Sequence, residues 1–426
     1  MIKIIQSTHR AGMARLLRAR HVGLENAEAV ARRIVDDVKR NGDRALIRYT
    51  RQFDKTDLRQ AGFAVSRKEI RQAYRMVPRD FIRAVRLAEG NIRAVARRQL
   101  PRTWRIETTA GVVVRQIVRP LESVACYIPG GRFPLPSTVL MSVIPAQVAG
   151  VQEISVTSPR PAPAVLVAAD LLGINKIYRL GGAQAIAAFA YGTKSVPRAA
   201  KIVGPGNRFV AAAKKIVARD CGIDFVAGPT ELVVVGSRGC PQWIAADLVA
   251  QAEHDPDAVA IFITPSARLA SDVQISAAKI LRRLGLPIAQ QALARQGAII
   301  LTRDISEAVQ LANTFAPEHL ILLEDAIGFL DRVQSAGSIF LGEFSAVAAG
   351  DYASGTNHIL PTGGGAGWRG GLSVADFVKT ITVQQLTRPG LLSLHPAIVR
   401  LAATEGLWAH ADSVESRFEK RRGKVG

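Results

Sequence analysis

The chain has 426 residues, of which 48% are hydrophobic and 21% charged, and its formal net charge at pH 7 is +21. This hydrophobic content excludes an intrinsically disordered chain, which could not bury enough apolar surface to offset the entropy of ordering. The length suggests two or three domains. No apolar run approaches the roughly 18–20 residues that a membrane helix needs, and no apolar signal-peptide core follows the basic start. The composition therefore predicts a soluble cytoplasmic protein.

The positive charge is concentrated in residues 1–120, which hold 28 Lys and Arg against 11 Asp and Glu. Such a region could bind nucleic acid by neutralising phosphates and releasing counterions. Over 70–98, however, arginines recur every three or four residues beside Ile, Val, Leu and Ala, which is typical of solvated amphipathic helices. Because no recognised nucleic-acid motif accompanies the charge, we do not expect nucleic acid as a partner.

The predicted elements, in chain order, begin with about 95 mostly helical residues. Strands are then predicted at 124–128, 153–158, 176–180, 201–203, 231–235, 259–264, 298–302, 320–323 and 338–341. Helices are predicted at 137–148, 162–172, 183–191, 207–219, 241–253, 374–380, 397–409 and 413–420. This alternation predicts βαβ units and parallel sheets, in which ligands bind beyond the carboxyl ends of the strands.

Two sequence features resemble binding-site motifs, but neither has the spacing or the surroundings that such a site needs. Cys126, Cys221 and Cys240 are too widely spaced for a disulfide framework or a metal knuckle. Residues 365–370 match the dinucleotide fingerprint GxGxxG. That fingerprint needs a strand leading into the loop and an acidic residue about 20 positions later, and both are missing. We interpret these glycines as a sharp turn.

Four of the seven histidines have polar neighbours that suit catalysis or metal binding: His254, His319, His358 and His410. Each one alone could equally be a surface or hydrogen-bonded histidine. Imidazoles together with Asp and Gln oxygens suit Zn²⁺. The adjacent Glu318 and His319 could accept protons at different steps of a reaction. The remaining three, which lack such neighbours, are interpreted as structural or solvated: His9, His21 and His395.

Six segments of this sequence resemble the histidinol dehydrogenase family, in the order and spacing of that family, from about residue 20 to about residue 415. They are YIPGG at 127–131, GGAQA at 181–185, VGPGN at 203–207, QAEHDPD at 251–257, APEHL at 316–320, and DY with NH at 351–358. The resemblance implies an α/β fold with two Rossmann-like doubly wound domains, short helical N- and C-terminal segments, and a domain-swapped dimer.

The resemblance also implies a domain organisation in which one domain is interrupted by the other. An N-terminal segment would cover 1–19, and a larger catalytic domain would combine 20–126 with 231–373. A smaller NAD-binding domain would cover 127–230. The helical segment 374–426 would contribute to the active site of the partner subunit.

The activity implied by the resemblance is the two-step, NAD-dependent oxidation of L-histidinol through L-histidinal to L-histidine, the end of L-histidine biosynthesis. One Zn²⁺ per subunit would bind to residues that match the family's ligands: Gln251, His254, Asp351 and, across the interface of a homodimer, His410. In the catalytic pair, His319 would take the alcohol proton and Glu318 would activate the water that hydrates the aldehyde.

Further family contacts match single positions of this chain. The NAD contacts match Tyr127, Gln184 and Asn207. Besides the zinc ligands and His319, the substrate contacts match Thr230, His358 and Glu405. Thr230 stands where the family usually has serine, so the hydroxyl is kept and a methyl group is added.

Alternatives remain for the cofactor residues and for the substrate. Tyr127 could pack in the core at a strand end, Gln184 could cap a helix, and Asn207 suits a helix N-cap. The function could also be that of a paralogous zinc- and NAD-dependent dehydrogenase of another small alcohol. Such relatives would be expected to lose the groups that recognise an imidazole, so His358, Glu405 and His410 favour L-histidinol.

Overall fold

The computed structural model describes residues 2–19, 25–130 and 133–418. The chain divides into two compact units. The first unit contains Met1–Gln99 and Leu121–Phe377, and the second contains Leu100–Pro120 and Val378–Gly426. His21, Gly131 and the last residues of the predicted helix at 413–420 lie outside the described residues.

The strands are β1 (Lys3–Gln6), β2 (Trp104–Thr109), β3 (Val112–Pro120), β4 (Ser123–Tyr127), β5 (Glu153–Thr157), β6 (Ile177–Tyr178), β7 (Lys201–Val203), β8 (Gly222–Ile223), β9 (Glu231–Val235), β10 (Val259–Thr264), β11 (Ala298–Leu301), β12 (His319–Leu322), β13 (Ser338–Leu341) and β14 (Val378–Leu386). The helices are α1 (Arg10–Ala19), α2 (Glu25–Asn41), α3 (Asp43–Asp54), α4 (Leu58–Ala61), α5 (Arg67–Tyr74), α6 (Arg79–Gln99), α7 (Pro136–Ala149), α8 (Pro163–Leu171), α9 (Gly182–Tyr191), α10 (Arg208–Val217), α11 (Pro241–Ala252), α12 (Ala267–Leu284), α13 (Pro287–Arg295), α14 (Ile305–Phe315), α15 (Val347–Tyr352), α16 (Arg388–Thr404) and α17 (Trp408–Glu415).

A six-stranded parallel sheet has the order β1-β11-β10-β9-β12-β13. Its strands are almost continuous runs of Val, Ile and Leu, as expected where both faces of a parallel sheet are buried. Val233 and Ile261 pack with α1 and α14 on one face. Leu232 and Phe262 pack with α11, α12 and α13 on the other. Both faces of this sheet therefore carry helices.

A second parallel sheet has five strands in the order β6-β5-β4-β7-β8. Helices α2, α3, α9 and α10 share a buried apolar cluster with one of its faces, and α7 contacts β4 and β5. Counted from β4, its strands follow the order 3-2-1-4-5, and counted from β9 the six-stranded sheet repeats that order before β1 is added. In such sheets the crevice for a ligand opens at the carboxyl ends, where the strand order reverses. In the five-stranded sheet that point lies between β4 and β7.

The corresponding point of the six-stranded sheet, between β9 and β12, is spanned by hydrogen bonds of the protein itself. The backbone N–H of Ser237, after β9, donates to Asp325 Oδ2, after β12, at 3.0 Å. The backbone N–H of Cys240 donates to Glu343 Oε1 at 2.6 Å. A Cβ on Gly236 would overlap the side chain of Leu323. Hydrogen bonds of the protein therefore bridge the place where a nucleotide would bind in this sheet.

The predicted parallel α/β architecture is confirmed, and every strand predicted between 124 and 341 is present within two residues of its predicted ends. The predicted helix at 374–380 is wrong. Val374–Phe377 is a short 3-10 turn, and β14 then pairs antiparallel with β3 in a three-stranded sheet that also contains β2. Polar and apolar residues alternate only over 380–384, where all but Gln384 are β-branched, a composition that favours a strand.

Several smaller expectations can be compared with the described residues. Cys126, Cys221 and Cys240 are free thiols. The ring of His395 packs edge-on against Phe418, in agreement with a structural role. Within the described part of the chain, no helix combines the length and the hydropathy needed to cross a bilayer.

A buried ion pair holds the turn that follows β7. The backbone N–H of Gly204 donates to Asp224 Oδ2 at 2.7 Å, and Lys214 Nζ donates to the Gly204 carbonyl at 3.0 Å. Lys214 and Asp224 also contact each other directly, and both are buried. Gly204 has a φ of 116°, and a Cβ there would overlap the Tyr127 carbonyl oxygen. The ion pair thus fixes the backbone at the carboxyl ends of β4 and β7.

Replacing Lys214 by methionine should destabilise the fold, because Asp224 would keep a buried charge without its partner. We expect the free energy of unfolding to fall by about 3–5 kcal/mol, measured by urea denaturation followed by circular dichroism at pH 7. The matched control is Lys215→Met, since Lys215 is exposed and pairs with Glu28 on the surface, where loss of a pair costs about 1 kcal/mol or less. Equal effects of the two substitutions would contradict this account of the turn.

Candidate active site

The predicted catalytic pair lies in a cluster of residues at the amino ends of two neighbouring strands of the six-stranded sheet. Thr230 precedes β9 and Glu231 opens it, while Glu318 precedes β12 and His319 opens that strand. His319 is the register partner of Leu232 in the parallel ladder. Ligands were expected at the carboxyl ends of the strands, whereas this cluster lies at the amino ends of β9 and β12.

The carboxylate of Glu318 is buried and accepts two hydrogen bonds. Its Oε2 accepts from the backbone N–H of Glu231 at 2.9 Å and from the hydroxyl of Thr230. The Thr230 oxygen in turn accepts from Gln251 Nε2, which comes from the last turn of α11. Burial raises the pKa of Glu318, and although His319 and the Thr230 and Glu231 hydrogen bonds oppose this, the pKa stays above its ordinary value.

The imidazole of His319 lies between two carboxylates and is only 3% exposed. Its Nδ1 is 3.2 Å from the Glu231 carbonyl oxygen and 3.6 Å from Glu318 Oε2, and its Nε2 is 3.4 Å from Asp351 Oδ1. Since a carbonyl oxygen can only accept, Nδ1 donates, and Nε2 is the site that gains or loses a proton. Burial lowers the pKa of His319, but the charges of Glu318 and Asp351 outweigh it and raise the pKa overall.

Asp351, in α15, completes this arrangement as an ionised group. Burial raises its pKa, but the hydrogen bond and charge of His319 lower it further, so the pKa is below the ordinary value. Glu318 and Asp351 are thus two carboxylates with pKa values displaced in opposite directions around one imidazole. Groups perturbed in this way by burial and by each other are typical of active sites.

His358 connects this cluster to the five-stranded sheet. Its Nδ1 is 2.8 Å from the backbone oxygen of Asp351, and its Nε2 is 3.2 Å from the hydroxyl of Thr138, in the first turn of α7. The neighbouring Asn357 donates to the carbonyl of Met141, also in α7, at 2.7 Å. Because α7 follows the carboxyl end of β4, the catalytic cluster meets the edge of the sheet where a nucleotide would bind.

The predicted metal ligands fall in both units. In the first unit, Gln251 joins the cluster through Thr230, and the exposed His254 is close enough for its charge to lower the pKa of Asp351. In the second unit, the predicted ligand His410 lies in α17, and the predicted substrate contact Glu405 follows the last residue of α16. Both side chains are exposed. Among the described residues, no group of three or more His, Cys, Asp or Glu side chains is positioned to hold a metal ion.

The predicted cofactor contacts lie at the carboxyl edge of the five-stranded sheet. Tyr127 ends β4, and its hydroxyl accepts from the backbone N–H of Gly182 at 3.1 Å. Gln184 is buried in the first turn of α9. Asn207 caps α10 by accepting from the N–H groups of Phe209 and Val210 at 3.0 and 3.2 Å, so the capping alternative is correct for this residue and does not exclude a second role.

Comparison with known proteins agrees with this arrangement. The family model described as histidinol dehydrogenase matches residues 17–418. The chain is 46% identical to a histidinol dehydrogenase of Methanothermobacter thermautotrophicus over 90% of its own length and 92% of the relative's. It is 43% identical to one from Clostridium acetobutylicum, over 93% and 94% of the two chains. The crystal structure of histidinol dehydrogenase from Elizabethkingia anophelis is similar with a TM-score of 0.93 and 39% identity, covering 98% of each chain.

This chain belongs to the histidinol dehydrogenase family. The resemblance drawn from the six sequence segments is thereby confirmed. As a histidinol dehydrogenase family member the protein is an oxidoreductase, and the similarity extends over almost the whole chain rather than over a single motif.

Two residues of the cluster were missed from the sequence. The backbone of Glu231 contacts both Glu318 and His319, and its Oε1 accepts from the backbone N–H of Gly363 at 3.1 Å. A carboxylate at the start of an otherwise apolar strand, directly after Thr230, was the available signal. Thr138 gives no signal, because it is an ordinary residue of an apolar helix.

The turn at 363–367 is a 3-10 turn rather than a strand-to-helix loop, which supports the interpretation of the GxGxxG match as a sharp turn.

Replacing Thr230 by valine in this histidinol dehydrogenase should raise the pKa of Glu318 further, because the hydroxyl lowers it. A base with a higher pKa is ionised only at higher pH, so the acid limb of the pH profile of dehydrogenase activity should move upward by roughly one pH unit. Thr230→Ser keeps the hydroxyl and should keep the wild-type profile. A shifted profile in the serine variant, or an unshifted one in the valine variant, would show that the hydroxyl does not set the state of Glu318.

Proposed function

We propose that this enzyme oxidises L-histidinol to L-histidine through L-histidinal, in two hydride transfers to NAD⁺, at the end of L-histidine biosynthesis in the cytoplasm. The observation that carries the proposal is the buried pair Glu318 and His319, adjacent in sequence and held in different electrostatic environments. Two oxidations of one carbon require two proton acceptors, one for the alcohol and one for the water that hydrates the aldehyde. The pair supplies both.

The roles follow from the surroundings of each group. His319 takes the alcohol proton at Nε2, and the neighbouring carboxylates of Glu318 and Asp351 stabilise the resulting imidazolium. Glu318, whose raised pKa makes it a stronger base than an ordinary carboxylate, takes a proton from water as it attacks the aldehyde. Thr230 and Glu231 hold the Glu318 carboxylate in place. Besides Thr230, the substrate would contact His358 and Glu405.

NAD⁺ is proposed to bind at the carboxyl edge of the five-stranded sheet, within the smaller domain at 127–230. Doubly wound sheets bind nucleotides at the point where the strand order reverses, and Tyr127, Gln184 and Asn207 surround that point. The close approach of the Gly204 turn to Tyr127 leaves no room for a side chain there, which is typical of backbone that approaches a ligand. When bound, the nicotinamide would accept the hydride, and the protein would position it.

The residues Gln251, His254 and Asp351 fit a Zn²⁺ site that is completed by His410 of the partner subunit. An amide oxygen, imidazole nitrogens and a carboxylate suit this ion. Of the three proposed ligands in the first unit, only His254 and Asp351 are His, Cys, Asp or Glu residues, since Gln251 is an amide. The proposed site therefore does not require three such residues to lie together within one chain. Bound zinc would orient the substrate through its imidazole and amine.

A homodimer with exchanged C-terminal segments is supported by the surface of the second unit. Large apolar side chains are exposed there, among them Trp408 at 69%, Leu401 at 64% and Ile106 at 50%. Exposed apolar side chains in this number mark an interface. We propose that the larger domain, 20–126 with 231–373, and the partner's segment 374–426 share each active site.

The first test is the number of NADH molecules formed per L-histidinol consumed, measured by absorbance. We expect two for the wild type, abolished by a chelator and restored by Zn²⁺. Glu318→Gln should yield one NADH and accumulate L-histidinal, because the aldehyde step needs Glu318 as its base, whereas in the alcohol step Asp351 still stabilises the His319 imidazolium.

One NADH per substrate in the wild type would contradict the four-electron reaction. A non-imidazole alcohol that outperforms L-histidinol would indicate the paralogous dehydrogenase instead. Full activity after verified removal of the metal would contradict the zinc site.

The shared site predicts complementation between two variants that cannot form L-histidine alone, Glu318→Gln and His410→Asn. In a mixed dimer, the subunit with intact Glu318 receives intact His410 from its partner, which restores one complete site. Equal mixing after subunit exchange should therefore restore about a quarter of the wild-type rate of L-histidine formation. His410→Asn alone should stay folded and lose zinc, measured by metal analysis. No recovery in verified heterodimers would place His410 in its own chain's site or in none.

A further inference from the structure

The five-stranded sheet lacks the usual residue for recognising the ribose of a nucleotide. In Rossmann-type sheets, an acidic residue near the end of the strand beside the first one binds the ribose hydroxyls of NAD, whereas an arginine there accommodates the phosphate of NADP. In this chain β5 occupies that position, and it is followed by Ser158, Pro159 and Arg160. Arg160 adopts the left-handed region with a φ of 45°. A cation therefore stands where an NAD-binding sheet has a carboxylate.

Asp54 brings a carboxylate to the same edge from outside the sheet. It is the last residue of α3, a helix that packs against α9. Its Oδ2 accepts from Gln184 Nε2 at 3.3 Å, and the positive charge of Arg160 acts on it. Through Gln184 and the hydrogen bond from Gly182 to Tyr127, this carboxylate belongs to the cluster of proposed NAD contacts.

The position of Asp54 is unfavourable for folding. Burial raises its pKa to about 6, with Arg160 and Gln184 opposing the shift only in part. It also ends a helix, where the helix dipole disfavours a negative charge. The hydrogen bond from Gln184 goes to Oδ2, no described residue donates to Oδ1, and the side chain is only partly buried. A charge kept at such a position is more typical of a binding site than of a structural contact.

We propose that Asp54 accepts hydrogen bonds from the vicinal hydroxyls of a cofactor ribose and thereby selects NAD⁺ over NADP⁺. The inference rests on the proposed function, because it assumes that a nicotinamide nucleotide binds at this edge. The 2′-phosphate of NADP⁺ would face the Asp54 carboxylate and be repelled. Arg160 is the group that would pair with this phosphate once the carboxylate is neutralised.

The test measures cofactor binding directly, by fluorescence titration of the zinc-loaded enzyme with NADH and with NADPH and without substrate. Wild type should bind NADH more tightly than NADPH. Asp54→Asn should weaken NADH binding by about tenfold, the loss expected for a charge-assisted hydrogen bond, and should strengthen NADPH binding. Because a charge in an unfavourable, partly buried position is removed, its melting temperature at pH 8 should be equal to or above that of the wild type.

The matched control is Asp57→Asn, three residues away, where the same charge is removed and asparagine can still cap α4 as Asp57 does. Its NADH and NADPH affinities should not change. Adding Arg160→Gln to Asp54→Asn should abolish the gain in NADPH affinity.

Three results would contradict either the role of Asp54 or the proposed NAD site, and each result shows which of the two is wrong. Unchanged affinities in Asp54→Asn would reject the role of Asp54 and leave the NAD site standing. An equal loss for both cofactors would mean that Asp54 only positions Gln184. A wild-type enzyme that binds neither nucleotide would instead reject the proposed NAD site itself.

Discussion

The contact between His358 and Thr138 is central to the proposed active site, because together with the hydrogen bond from Asn357 to Met141 it joins the two parallel sheets, which hold different parts of that site. The six-stranded sheet presents Glu318 and His319 at its amino ends, and the five-stranded sheet presents Tyr127, Gln184 and Asn207 at a carboxyl edge. An imidazole that binds the backbone of Asp351 at one nitrogen and the hydroxyl of Thr138 at the other brings these two edges together. In the proposed reaction, the proton acceptors and the nicotinamide could then reach one carbon atom.

Within this cluster, burial and the neighbouring charges together set the pKa values of Glu318 and His319. In water, Glu318 and His319 would be an ordinary acid and an ordinary base. In the protein, burial raises the pKa of Glu318, which makes it a stronger base. The carboxylates of Glu318 and Asp351 raise the pKa of His319, so the imidazole binds a proton more tightly. The backbone of Glu231 contacts both residues, so the start of β9 acts as a rigid template on which the pair is assembled.

Much of the first unit could be predicted from sequence, because each strand is a compact β-branched run with a helix on either side. The three-stranded sheet could not, since β14 pairs with a strand more than 250 positions earlier and its alternating pattern covers only five residues. The site residues were found where they stand in unusual motifs, as Glu318 and His319 do. Asp54 and Thr138 could not be identified from the sequence, because their contacts are with Gln184 and His358, which lie 130 and 220 positions away along the chain.

The hydrogen bonds across the reversal point of the six-stranded sheet have a consequence for the order of events. Although the two parallel sheets share one strand order, Ser237 pairs with Asp325 and Cys240 with Glu343 at that point of the six-stranded sheet, and the proposed NAD⁺ site lies in the five-stranded sheet instead. In the proposed reaction, both oxidations would use this one site in succession, so the spent cofactor would leave before a fresh one arrives. The half-oxidised substrate would stay bound meanwhile, because the groups proposed to hold it lie outside the five-stranded sheet.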